Sequence, residues 1–310
     1  MRILYMGTPD FAVPILKALH ESRHEVIGAV TQPDKPKGRG YQLTPPPVKV
    51  YANSVGIPVF QPATLRAGAF DETLKTLSPD IIAVAAYGKI LPPDVLHFPK
   101  YGCVNVHGSL LPKYRGAAPM QRAILEGCAE TGVTTMQMAE GMDTGDMLEW
   151  ASIPILDSDD FETIHDKLSL LGASLLLSTL EKIENGTVCP VVQDDAQATY
   201  AAKIEKADCL LDFGRPVREI FNKIRALSPF PLSFTHLPDG RMLKVVKAMV
   251  GLTGTPDKTP GTVLTLSDSV EVACADGTIL LQTVLPEGRG RMSARDFING
   301  RNVSVGDILN

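Results

Sequence analysis

Ile3-Leu4-Tyr5-Met6, then Gly7-Thr8-Pro9, then Asp10 to His20, is the stretch that sets the fold. A short unbroken apolar run suits a strand buried on both faces. After the turn, Phe11, Ile15, Leu16 and Leu19 recur on one side of a helix. The same alternation continues outward through the first 150 residues. Val26 to Val30, Pro58 to Phe60, Ile81 to Ala85 and Val104 to Val106 read as further strands, with helices near 48–54, 70–77 and 117–126. Strands alternating with helices predict an α/β fold with a doubly wound, mostly parallel sheet. Such a sheet holds ligands outside the carboxyl ends of its strands, where Gly7-Thr8-Pro9, Tyr87-Gly88 and His107-Gly108 fall.

Beyond residue 130 the pattern changes. Thr134 to Ala139 and Met147 to Ile155 read as a β pair around the Gly141-to-Asp146 loop, and helical spacing from Phe161 to about Glu184 predicts a long helix. Residues 187–204 lack periodicity and are expected to be a linker between a catalytic domain, 1–186, and a second domain, 205–310. In the latter, a helix over 216–227 is followed by short strand candidates at 233–236, 243–249, 261–266, 270–273 and 278–284, separated by Gly and Pro turns. A small C-terminal β-barrel is expected.

Composition narrows the function classes. With 44% hydrophobic and 21% charged residues, the 310-residue chain has the make-up of an ordinary globular protein. No apolar run approaches the ~18 residues of a membrane span, and no charged leader precedes Arg2-Ile3-Leu4, so neither a membrane anchor nor a targeting peptide is expected. Five scattered cysteines without C-x-x-C spacing argue against disulfides or a zinc site, and point to reduced thiols in the cytoplasm. The net charge of -5 is unevenly spread: 17 basic against 23 acidic residues over 1–204, and 13 against 12 over 205–310. Any contact with a polyanion must therefore be local.

Two segments carry chemistry. Asn105-Val106-His107-Gly108-Ser109-Leu110-Leu111-Pro112 ends a strand, and alternation puts Asn105 and His107 on one face, about 7 Å apart. The second segment is Glu140-Gly141-Met142-Asp143-Thr144-Gly145-Asp146. Amide, imidazole and carboxylate together can bind a developing oxyanion, move a proton and orient its carrier. Taken alone, Asp143 and Asp146 are equally ordinary loop carboxylates, and the strand end an ordinary polar cap followed by solvated Lys and Arg. A third stretch, Gln32 to Lys49, carries Lys35, Lys37, Arg39 and Lys49 against a single acid, Asp34. It reads either as a solvated loop or as a phosphate-binding one. Gly7-Thr8-Pro9 is no dinucleotide fingerprint and Lys37-Gly38-Arg39-Gly40 no P-loop; the remaining histidines show no ligand spacing, so no metal is expected.

Asn105-x-His107-Gly108-Ser109-Leu110-Leu111-Pro112, followed by Tyr114-Arg115-Gly116-Ala117, resembles the signature of the formyltransferases that use 10-formyltetrahydrofolate. The resemblance covers essentially the whole chain, from Gly7-Thr8-Pro9-Asp10-Phe11-Ala12-Val13-Pro14 to Arg225-Ala226-Leu227-x-Pro229-x-Pro231, and points within that family to the methionyl-tRNA formyltransferases. It implies a Rossmann-like formyltransferase domain followed by a barrel of oligonucleotide-binding type that contacts tRNA. It also implies a catalytic set of Asn105, His107 and Asp143. Folate would line against Tyr87, Gly88, Ile90 and Leu91, against Ser109, Leu110, Leu111 and Pro112, and less securely against Phe11. The basic loop resembles the insertion that engages the acceptor stem of initiator methionyl-tRNA, which implicates Lys35, Lys37, Arg39 and Lys49. One departure is Tyr41-Gln42, where the family usually carries further lysines. The expectation is a cytoplasmic, monomeric enzyme with formylated folate as cosubstrate. Rival readings are a formyltransferase for nucleotide-linked amino sugars, a hydrolase of formylfolate, and a non-catalytic RNA-binding protein.

Overall fold

The computed structural model describes residues 1–37 and 42–310, leaving aside the side chains of Lys37 and Gln42. The chain lays down β1 (Arg2–Gly7), β2 (Glu25–Val30), β3 (Lys35–Lys37), β4 (Gln42–Thr44), β5 (Val59–Phe60), β6 (Ile81–Ala85), β7 (Cys103–His107), β8 (Arg115–Gly116), β9 (Glu130–Gln137) and β10 (Met147–Pro154). Between them lie α1 (Ala12–His20), α2 (Pro47–Ser54), α3 (Asp71–Leu77), α4 (Pro93–Leu96) and α5 (Pro119–Leu125), and α6 (Phe161–Glu184) follows. β1 is buried everywhere except Arg2, and β6 throughout, which is why both sequences run apolar without alternation.

Seven strands form the main sheet in the order β10-β9-β7-β6-β1-β2-β5. From β5 to β7 the neighbours are parallel, and β9 turns antiparallel against β7. The order reverses at β1, which sets the carboxyl ends of the parallel strands β1, β6 and β7 side by side, the place where such sheets hold ligands. Gly7 ends β1 because nothing larger fits: a Cβ there would lie 2.8 Å from that of Ala12 and 3.0 Å from the Ala85 carbonyl. α1 buries Ala12, Ile15, Leu16 and Leu19, and each large apolar side chain fully buried contributes about 1.5–3 kcal/mol. Lys17 and His20 lie in its last turn, where the helix dipole favours positive charge.

Where the sequence suggested only an aperiodic connection, β3 and β4 pair as a hairpin, Lys35 opposite Thr44 and Pro36 opposite Leu43. Three-residue strands bury no face, so they leave no apolar alternation to read; Leu43 is 68% exposed. Arg39 lies outside the described residues.

Two compact units emerge. The first comprises Met1–Pro119, Thr131–Ile153 and His165–Ala201; the second comprises Met120–Glu130, Pro154–Ile164 and Ala202–Asn310. Much of the stretch expected to be a linker thus belongs to the first unit. Its β11 (Tyr200–Ala201) pairs with β8, and Val191 bridges Met147. In the second unit α7 (Val217–Ala226) buries Val217, Ile220, Phe221 and Ile224 against an antiparallel sheet. That sheet contains β12 (Ser233–His236), β13 (Met242–Thr253), β14 (Val263–Leu266), β15 (Val270–Ala273), β16 (Gly277–Pro286) and β17 (Met292–Ser293), and α8 (Ala294–Asn299) packs on it. Register shifts along β13 bend the sheet through bulges. Among the described residues no helix is long and apolar enough to cross a membrane.

Candidate active site

β7 runs between β6 and β9, which sets Asn105 beside Val84 and Met136, and His107 beside Thr134. Asn105 is half-buried, and its side-chain amide has no hydrogen-bond partner among the described residues. Two positions on, His107 is only 6% exposed. Its Nε2 lies 2.9 Å from the Tyr114 carbonyl and its Nδ1 3.7 Å from Oδ2 of Asp143. A ring nitrogen facing a carbonyl carries the hydrogen, so Nδ1, on the Asp143 side, is the nitrogen left to exchange a proton.

Asp143 reaches this place on a tightly held loop. Its φ is +53°, in the left-handed region, and its Oδ2 accepts the Gly116 N–H at 2.8 Å. Gln137 donates its backbone N–H to the Asp146 carbonyl. Gly145 is required by close approach: a Cβ there would sit 1.7 Å from the Gln137 carbonyl oxygen. Gly145→Ala is therefore expected to push the loop off β9. If Asp143 serves the reaction, a displacement of about 1 Å costs about 10²-fold in rate, and turnover should fall by about that factor. Steady-state kinetics with a thermal melt check this, and unchanged turnover would show that the position of Asp143 is immaterial.

The first unit brings the remaining expected residues to the same end of the sheet in different ways. The Ser109–Pro112 turn is pinned to β9. Thr134 Oγ1 donates to the Ser109 carbonyl at 2.8 Å and accepts the Leu111 N–H at 3.1 Å, while Ser109 Oγ donates to the Lys113 carbonyl. Ser109 and Leu111 are buried; Leu110 and Pro112 are half-buried. After β6 the chain turns through Ala86 and Gly88, both with positive φ. Tyr87 sends its ring into the core, its hydroxyl has no hydrogen-bond partner among the described residues, and burial pushes the hydroxyl pKa up to about 12. What it presents outward is its carbonyl, which accepts from Thr8 Oγ1 and Gln32 Nε2. Leu91 is core as well, whereas Ile90 is 71% exposed. Phe11 is buried edge-on against His165, with ring centroids 5.5 Å apart. Asp10, hydrogen-bonded to His165, is thereby held below the usual carboxylate range.

The basic residues divide. Lys35 is exposed. Lys49 donates to both carboxylate oxygens of Asp34 at 2.9 Å and to Gln61, and this contact holds the Asp34 carboxyl below its usual range. Its charge is already compensated within the chain.

Some residues at the site left no mark in the sequence. Gln193, in the aperiodic stretch after α6, donates through Nε2 to the carbonyls of Asp143 (2.8 Å) and Gly145 (2.7 Å). Its Oε1 accepts from Nε of buried Arg115. Thr199 accepts the Tyr114 N–H on Oγ1 and the Arg115 N–H on its carbonyl.

Comparison with known proteins identifies the family. Residues 1–180 match the family described as formyl transferase, and residues 203–302 match the formyl transferase C-terminal domain. The methionyl-tRNA formyltransferase of Bacillus subtilis (strain 168) is 46% identical over 310 residues, 99% of this chain and 97% of that protein. That of Caldanaerobacter subterraneus subsp. tengcongensis is 47% identical over the full length of both. Among solved structures, the N-formyltransferase from Helicobacter canadensis, bound to folinic acid and dTDP-3-aminofucose, has a TM-score of 0.69 at 21% identity, covering 90% of this chain and 98% of that one. HypX from Aquifex aeolicus with tetrahydrofolic acid has a TM-score of 0.68 at 17% identity; 98% of this chain is covered and spans 48% of that one. At such identities the two structures report the fold.

Proposed function

The chain belongs to the formyl transferase family, and we propose that it moves the formyl group of 10-formyltetrahydrofolate onto the free amino group of initiator methionyl-tRNA. Full-length likeness to methionyl-tRNA formyltransferases supports the choice of acceptor. The observation that carries the site is the Asn105 amide, without a partner among the described residues, two positions from a His107 whose Nδ1 faces Asp143. The aminoacyl amine attacks the formyl carbon, the carbonyl π bond opens to a tetrahedral oxyanion, and the bond to the folate N10 then breaks. The nucleophile comes from the substrate, so a covalent enzyme intermediate is unnecessary. Asn105 donates its amide hydrogens to the oxyanion. The amine must lose a proton and N10 must gain one. In this reading His107 Nδ1 takes the first and returns it, with Asp143, 3.7 Å away, stabilising the charged ring. The turns at 86–88 and 109–112 offer folate backbone groups and apolar surface at the same end of the sheet.

Recognition of the tRNA falls, in this reading, to the basic stretch of residues 32–49 and to the second unit. Lys35, Lys37 and Arg39 are the phosphate- and base-reading residues, and Lys49 steadies the root of the hairpin through Asp34. The enzyme works in the cytoplasm as a monomer. Arg39→Ala is expected to reduce the preference for initiator over elongator methionyl-tRNA about tenfold, the scale of one lost base-edge contact, with the folate KM unchanged. Competition kinetics between the two tRNAs measure it; an unaltered preference would remove Arg39 from recognition. Offering methionyl-tRNA, a nucleotide-linked amino sugar and water side by side tests the acceptor. Faster transfer to the sugar, or formate release without an amine, would overturn this reading.

A further inference from the structure

We propose that Gln193 is a positioning residue for formyl transfer, holding Asp143 against His107 from the stretch that follows α6. The inference rests on the role proposed above for Asp143. A primary amide has two N–H donors and one carbonyl, and at this site all are used. Nε2 spans two carbonyls of the Asp143 loop, those of Asp143 and Gly145, at 2.8 and 2.7 Å. Oε1 accepts from Arg115 Nε at 3.0 Å. Gln193 is 6% exposed and Arg115 2%, so water has little access to replace a missing partner.

Arg115 completes the link. Its Nη2 pairs with Asp195 at 2.8 Å, two residues after Gln193. Its backbone joins the segment that fixes the other half of the site: the Tyr114 carbonyl faces His107 Nε2, and the Gly116 N–H binds Asp143 Oδ2. Ala201 accepts from the Ala117 N–H, and Thr199 from the Arg115 N–H. Residues 193–201 therefore brace both the histidine's anchor and the carboxylate's loop, with Gln193 the side chain that touches the loop directly. Asp143 holds a positive φ, a conformation that persists when surrounding contacts over-determine it.

Gln193→Met keeps most of the volume and removes every polar contact. Gln193→Glu keeps the acceptor for Arg115 and turns an oxygen toward two carbonyls in place of their donor. Both variants are measured for formyl transfer in the wild-type and Asp143→Ala backgrounds, with KM for each substrate and a thermal melt. Expected is a 10- to 100-fold lower kcat for each variant in the wild-type background, with both KM values within twofold. In the Asp143→Ala background the expected further loss is less than twofold, because the group being positioned is gone. An equal further loss in that background, or raised KM values with unchanged kcat, would overturn the proposal. Should Gln193→Met fail to fold, the Gln193→Glu pair decides alone. Wild-type transfer in the same assay reports separately on the function: if the wild-type chain formylates some other amine, the same cycle is run on that acceptor.

Discussion

Asn105→Ala is expected to lower kcat for formyl transfer about 10²–10³-fold, the usual loss for one oxyanion donor in a preorganised site. The fold should be unaffected, because the half-buried amide has no partner among the described residues to leave stranded. A donor that serves only the transition state acts on kcat and spares KM. Asn105→Asp sharpens the test, since it has nearly the same shape and accepts where the amide donates. Single-turnover rates with saturating folate and methionyl-tRNA, alongside a thermal melt, are the measurement. Rates near wild type for both variants would exclude Asn105 from the chemistry.

His107→Ala is expected to cost about 10²–10⁴-fold in kcat, the range for a general acid–base residue. Alanine also removes the ring that anchors to the Tyr114 carbonyl, so part of the loss could come from a displaced turn. His107→Gln separates the two contributions. A glutamine amide is suited to donate to that carbonyl, yet it exchanges no proton near neutrality. If proton transfer through Nδ1 beside Asp143 is the role of the residue, His107→Gln loses nearly as much as His107→Ala. Turnover close to wild type for His107→Gln would show that the ring is only a prop.

The elements that carry this site were legible because burial marks each of them, as an unbroken apolar run or as a periodic face. β1, β6 and β7 read as apolar runs, α1 and α6 as helical repeats, and Asn105 and His107 share a face through strand alternation. The main sheet, with its antiparallel β9 flank, matches the mostly parallel sheet expected. Short elements escaped for the same reason. The β3–β4 hairpin, α4 and α8 span too few residues for a period to emerge. Direction was harder to read than position: Tyr87 was expected beside the folate, and its ring points into the core while its carbonyl faces outward. Lys49 looked like one more free cation, yet Asp34, fifteen residues earlier, neutralises it through a contact that composition does not reveal. Gln193 was invisible because its role depends on meeting Asp143 and Arg115, 50 and 78 positions away in the chain.

The most direct test of the account is product stoichiometry, using 10-formyltetrahydrofolate, initiator methionyl-tRNA and the wild-type chain, with Asn105→Ala and His107→Ala as controls. The predicted result is one N-formylmethionyl-tRNA and one tetrahydrofolate per turnover, with both products lost together in the variants. Free formate in place of the formylated amine, or transfer that survives both substitutions, would contradict it.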